Sequence, residues 1–247
     1  MTLLDGLMRS TVARPGLQIV FRDVFDAASG VAIMTAALLT PFGRAQRSHW
    51  GLRCEDSSWP LPGDDLVPEP LWGYTHAVEV RATCTDVWPW VAQIGSDRAG
   101  FYSYQALENL VGCGIRNADS VHSSWELRLG DELRLHPSMP PPRVVALEKG
   151  WYFVAHAPPD VAARADGRPW TAMSWLFLVE PLGRERCRVI SRFRASCSDE
   201  LATRLAFGPT LLEPISFAMD RRMLLGIQQR AERARDRAAR PQPRVQP

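Results

Sequence analysis

The chain has 247 residues, of which 46% are hydrophobic, and a formal net charge of +2. That length supports one large domain with extensions or two small ones, and a core that needs no disulfide staples. Residues 230–247 carry six arginines against Glu232 and Asp236, net +4, so the rest of the chain is −2, which excludes a basic nucleic-acid platform.

The five cysteines, Cys54, Cys84, Cys113, Cys187 and Cys197, are odd in number, widely spread and without a C-x-x-C pair. This pattern points to reduced thiols in a cytoplasmic setting rather than a disulfide framework or a zinc site. Residues 1–58 form an N-terminal extension whose one apolar run is VAIMTAALL, Val31–Leu39. Even taken from Ala27 to Phe42, that run falls short of the ~20 residues of a spanning helix. It is also late for a signal peptide, so a short amphipathic or packed helix is expected. Peripheral contact with the inner face of a membrane, through this run and the basic tail, stays open as an alternative.

WPLPGDDLVPEPLWG (59–73) holds four prolines, which forbid a helix and favour an extended segment along the body. The main domain is placed at 59–232, followed by a basic C-terminal tail, 233–247. Six strands are expected within it. YTHAVEVR (74–81) alternates, with His76, Val78 and Val80 on one face. ELRLH (132–136) alternates Leu133 and Leu135 against charge. RVVALE (143–148) and WYFVAH (151–156) flank Lys149-Gly150, read as a two-residue hairpin turn. TAMSWLFLVE (171–180) is apolar on both faces and so central or covered. CRVISRFRA (187–195) sets Val189, Ser191 and Phe193 against Arg188, Arg192 and Arg194, with Ile190 the exception. Two short helices fall after the first strand: TDVWPWVAQIG (85–95), with Thr85 as N-cap, and YQALENLV (104–111), starting on Ser103. The last element is a helix from Pro214 to about Arg240, roughly 40 Å long at ~1.5 Å per residue, with Ile215, Met219, Met223 and Ile227 striping one side.

That order resembles the START-like, helix-grip superfamily, also called SRPBCC, which includes polyketide cyclase/dehydrase and lipid-transport proteins. The phrases LPGDDLVPEP, VWPWVAQIG, GFYSYQALENLVGCGIRNADS, LRLGDELRL and LEPISFAMDRRMLLGIQQRAE are similar to a bacterial branch of it, over about residues 59–232. They mark the branch rather than an activity. The resemblance implies an α+β fold in which a curved antiparallel sheet of six to seven strands wraps a long C-terminal helix. It also implies an apolar cavity between them, closed at one end by the two short helices. The chain departs from the branch at Gln105, usually acidic there, at His76, usually arginine, and at Asp220, where glutamate is common.

Within the helix from Tyr104, a spacing of 100° per residue puts Tyr104, Leu107, Glu108 and Val111 on one face. A carboxylate there is desolvated and its pKa raised, which makes Glu108 a candidate acid or base, with Tyr102 and Tyr104 orienting a carbonyl. The competing reading pairs Glu108 with an arginine and leaves the tyrosines capping the sheet. Asn109 and His76 are candidate ligand contacts, against turn-forming and plain hydrogen-bonding roles. Trp175, Phe177, Phe217, Met219 and Met223 are candidate cavity-facing apolar residues. Arg192 and Arg194 are expected to be outward and solvated unless the register is reversed, in which case they form an anion clamp inside.

The histidines have no metal spacing, and there is no G-x-S-x-G and no glycine-rich phosphate loop, so neither metal nor cofactor is expected. The first expectation is a protein that binds a hydrophobic small molecule of the lipid, polyketide or isoprenoid kind. The second is a cyclase/dehydratase-like enzyme using Glu108 and tyrosine hydroxyls, and the third a membrane-associated scaffold. The residues name neither the ligand nor the oligomeric state.

Overall fold

A computed structural model describes residues 15–53 and 59–239. Cys54, Arg240 and Arg244 lie outside the described residues. In chain order the regular elements are helix α1 (Pro15–Leu39), the single turn α2 (Arg44–Arg47), strand β1 (Trp72–Val80), helices α3 (Cys84–Ala92) and α4 (Gln105–Leu110), strands β2 (Arg143–Glu148) and β3 (Tyr152–Ala157), helix α5 (Val161–Ala165), strands β4 (Thr171–Gly183) and β5 (Arg186–Cys197), and helices α6 (Leu201–Phe207) and α7 (Leu212–Ala238).

The sheet is antiparallel throughout, in the order β1-β5-β4-β3-β2, so the first strand lies beside the last. Among the described residues it has five strands, not six or seven. The stretch 132–136 contributes a single bridge, Glu132 to Arg143. It cannot lengthen into a ladder, because Pro140, Pro141 and Pro142 precede Arg143 and have no N–H to donate. Instead the Arg134 carbonyl accepts from the Ser96 amide at 2.9 Å. The β2–β3 register pairs Glu148 with Tyr152, so the hairpin loop is Lys149-Gly150-Trp151, one residue longer than expected. Gly150 there has φ +86°, a left-handed conformation that glycine adopts without steric cost. α3 starts two residues early: Thr83 is its N-cap, the hydroxyl accepting from the Asp86 amide at 3.2 Å.

Both faces of the sheet are covered, which explains why β4 is buried from Ala172 to Val179. Inside, Phe153, Phe177, Val179 and Val189 pack with Leu224 and Ile227 of α7. Outside, Ala77, Val154, Leu176, Leu178 and Ile190 pack under Leu52, Leu61 and Leu66, so Ile190 breaks the alternation of β5 because the proline-rich segment covers it. Fully burying such side chains contributes about 1.5–3 kcal/mol each. Arg192 and Arg194 lie on this outer side as expected but are not solvated: the proline-rich segment covers them, and they hold it down. Arg192 Nε sits 2.8 Å from Asp64, and Arg194 donates to the Val67 and Pro68 carbonyls at 2.8 and 2.7 Å.

The N-terminal part is packed on this body. Asp26 on α1 meets Arg222 on α7 at 2.7 Å, and Arg47 meets the buried Glu213 at 3.0 Å. Beyond α2, the Ser48 and Trp50 carbonyls accept from the Thr75 and Ala77 amides of β1 at 2.8 and 2.9 Å. Further along the same strand, Gln228 donates to the Glu79 carbonyl at 2.8 Å, and Glu232 accepts from the Arg81 amide at 3.0 Å. Among the described residues no single helix is long and apolar enough to cross a membrane. Asp23–Leu39 and Pro41–Arg47 meet the length and composition criteria only as a pair bent by 97°.

Candidate functional site

Between the inner face of the sheet and α7 lies a cavity of about 1220 Å³. Strand alternation supplies its deep wall: Tyr74 from β1, Met173 and Trp175 from β4, and Phe193 from β5. The four-residue spacing on α7 adds Met219 and Met223, and Phe101 enters from the loop before α4. Exposed residues of the wall, among them Val111, Met139 and Asp160, mark where the cavity meets solvent.

The acidic group of α4 is Glu108. It is 7% exposed, it lines the cavity, and its Oε2 is buried without a hydrogen-bond partner among the described residues. Burial alone pushes its carboxyl up from 4.5 to about 8, so it is mostly protonated at neutral pH. Cys113 lines the same wall, and burial, then the Glu108 charge, raise its thiol as well, which keeps it from acting as a thiolate.

A second polar group sits under α7. Asp220 Oδ2 lies 2.6 Å from His76 Nδ1, and Asp220 Oδ1 accepts from the Ser191 hydroxyl at 2.7 Å. That hydroxyl accepts from the Trp175 indole N–H at 2.9 Å, and His76 Nε2 donates to the Arg47 carbonyl at 2.9 Å. With Nε2 turned to the Arg47 carbonyl and Nδ1 against the carboxylate, His76 and Asp220 act as one buried unit. Tyr74 stacks flat on His76, centroids 4.1 Å apart. Its hydroxyl is pushed well up by burial, then by the Asp220 charge and a hydrogen bond to it.

Of the residues singled out in the sequence, Glu108, Trp175, Met219 and Met223 meet in the cavity. Six do not line it. Tyr104 is the N-cap of α4, outside the helical wheel, and packs with Leu107 against Gly30 of α1. Tyr102 is buried with φ +56°; its amide donates to Asn117 at 2.7 Å and its hydroxyl accepts from Gln93 at 2.7 Å. These bonds hold a left-handed conformation that costs a non-glycine residue about 1–2 kcal/mol. Asn109 braces its own loop, exchanging two hydrogen bonds with Ile115 at 3.0 and 2.7 Å. His76 lies behind Tyr74, Phe177 is fully buried against Phe153 and Trp175, and Phe217 meets the His76 ring edge-on at 5.7 Å.

Sequence reasoning did not assign Asp220, Tyr74 or Phe193 to the site. Strand parity signalled the last two, since Tyr74 shares a face with His76 and Phe193 with Ser191. It also passed over α6, whose Phe207 lines the cavity and accepts at its carbonyl from the Trp72 indole N–H at 2.9 Å. Among the described residues no three His, Cys, Asp or Glu side chains converge as metal ligands.

No family model matches the sequence, and no curated protein matches it. Solved structures do. A hypothetical protein from Helicobacter pylori is 12% identical over 73% of this chain and 99% of its own, with a TM-score of 0.40. A norcoclaurine synthase mutant from Thalictrum flavum is 12% identical over 66% and 96%, with a TM-score of 0.37. A polyketide cyclase-like protein from Corynebacterium glutamicum is 15% identical over 71% and 99%, with a TM-score of 0.33. At such scores none of the three bears on which residues act. The topology itself, with β1 beside β5, two short helices after β1 and a long last helix against the inner face, is a helix-grip arrangement, an antiparallel sheet against a long C-terminal helix.

Proposed function

We propose that the chain binds a hydrophobic small molecule of the lipid, polyketide or isoprenoid kind between the sheet and α7. The observation that carries this reading is the cavity: about 1220 Å³, with a deep wall of aromatic rings and two methionines. Ligand sites commonly span about 300–1,000 Å³, so there is room for a molecule of substantial size. Met219 and Met223 suit a ligand of irregular shape, because a methionine side chain adapts to what it touches. The test is titration with a solvatochromic dye, alongside native mass spectrometry of freshly purified protein for a co-purified molecule. The wild type should bind the dye, and Met223→Trp should block it. A folded wild type that leaves the dye in water refutes the reading.

A second reading rests on Glu108. A buried carboxylic acid that keeps its proton at neutral pH is suited to protonating a carbonyl oxygen, as a cyclase/dehydratase-like step requires. On that reading Glu108→Gln abolishes turnover of a cognate substrate while dye affinity survives. Unchanged turnover removes Glu108 from the chemistry.

A further inference from the structure

The walls of the cavity carry a one-sided set of ionisable groups. The chain has 29 lysines and arginines, yet among the described residues none lines the cavity. Three carboxyl groups do: Glu108, Asp160 and Asp220. The one lining histidine, His136, accepts from the Ser138 amide at Nδ1 (3.1 Å) and donates from Nε2 to the Val111 carbonyl (2.9 Å). Both of its ring nitrogens are thus engaged by the protein's own backbone, which leaves neither turned to a ligand.

The three carboxyl groups are not equivalent. Asp220 is compensated by His76 and Ser191. Asp160 caps α5, accepting from the Ala163 amide at 2.9 Å, and is exposed at the rim. Glu108 has no such partner for Oε2, although it is more than nine-tenths buried. A buried polar atom of this kind is normally matched by a donor, and the described residues supply none. The deep wall adds the aromatic rings of Phe101 and Trp175, a ring type that attracts cations, while Tyr74 is stacked on both His76 and Phe193.

We infer that the cavity selects hydrophobic amines over hydrophobic acids, with the ligand's ammonium completing Glu108 and its hydrocarbon body lying against the aromatic wall. This rests on the reading that the cavity binds a hydrophobic molecule, and it names the charge class. A fatty-acid carboxylate or a phosphate monoester would lose its hydration inside without meeting a cation, and it would face carboxyl groups instead. An ammonium meets the carboxyl of Glu108, which lines the cavity and has no ion-pair partner among the described residues. The pairing holds Glu108 ionised, and the proton the carboxyl releases passes to solvent.

The test uses the full chain and three probes on one skeleton: phenylbutylamine, phenylbutanol and phenylbutanoate. Their affinities are measured by calorimetry and by displacement of the solvatochromic dye. The amine should bind about tenfold or more tighter than the carboxylate, with the alcohol between them. Glu108→Gln, checked for folding by circular dichroism, should bring the amine down to the affinity of the alcohol and leave the alcohol unchanged. If all three displace the dye equally, or the carboxylate binds best, the charge inference falls and the cavity reading stands. If neither dye nor probe binds the folded wild type, the cavity reading falls and takes the inference with it. An amine preference that survives Glu108→Gln unaltered also overturns the inference, since Glu108 is the group it assigns.

Discussion

Replacing Glu108 by glutamine should change how stability depends on pH, with a sign opposite to that of a paired surface carboxylate. Burial lifts the carboxyl from 4.5 to about 8, so the folded state holds its proton more tightly than the unfolded chain does. Below the lower value both states are protonated and nothing is lost. As pH rises through that window the unfolded chain releases its proton first, and the folded state loses stability until the upper value is passed. At ~1.4 kcal/mol per pKa unit, the loss between about pH 5 and about pH 8.5 is roughly 4 kcal/mol. Glutamine keeps the shape without the titration, and the burial cost of its amide is the same at every pH. The difference in urea unfolding free energy between wild type and variant therefore isolates the carboxyl. Glu108→Gln should gain on the wild type by roughly 4 kcal/mol across that range. Parallel pH profiles would refute the argument, because they would mean that Glu108 is solvated or paired.

Two further outcomes follow from packing. Asp220→Ala leaves His76 buried without its carboxylate and should cost about 3–5 kcal/mol, read from the urea midpoint; a cost below about 1 kcal/mol would show that the pair bears no weight. A Cβ at Gly226 would stand 2.3 Å from the Tyr102 carbonyl oxygen, so Gly226→Ala should destabilise by about 1–3 kcal/mol despite alanine's better helix propensity. A stabilised Gly226→Ala would mean that α7 does not press on this loop.

Much of the sheet was legible because alternation is a local property. Val189, Ser191 and Phe193 turned inward and the arginines of β5 outward, as their parity required. Even the exception at Ile190 and the doubly apolar β4 pointed correctly to a covered outer face. The site was less legible, for two reasons. The α4 helix is only six residues long, so the wheel that put Tyr104 beside Glu108 was extended past its cap. In addition, the groups that settle charge in the cavity lie far apart in the chain. Asp220 and His76 are separated by 144 residues, and nothing near either one announces the other. The strand expected at 132–136 failed at the proline run, a signal present in the sequence but outside the window that alternation reads.

The way the sheet ends at its two rims has a consequence for solution behaviour. An open β-edge is a template on which another chain can add a strand, and proteins with such edges tend to polymerise. Here the β1 rim is occupied by the Ser48 and Trp50 carbonyls and by Gln228 and Glu232. The β2 rim is short, irregular between Val144 and Ala146, and bridged at its start by Glu132. Among the described residues, then, neither rim of the sheet that walls the oily hollow offers a continuous backbone row for a neighbour to zip onto.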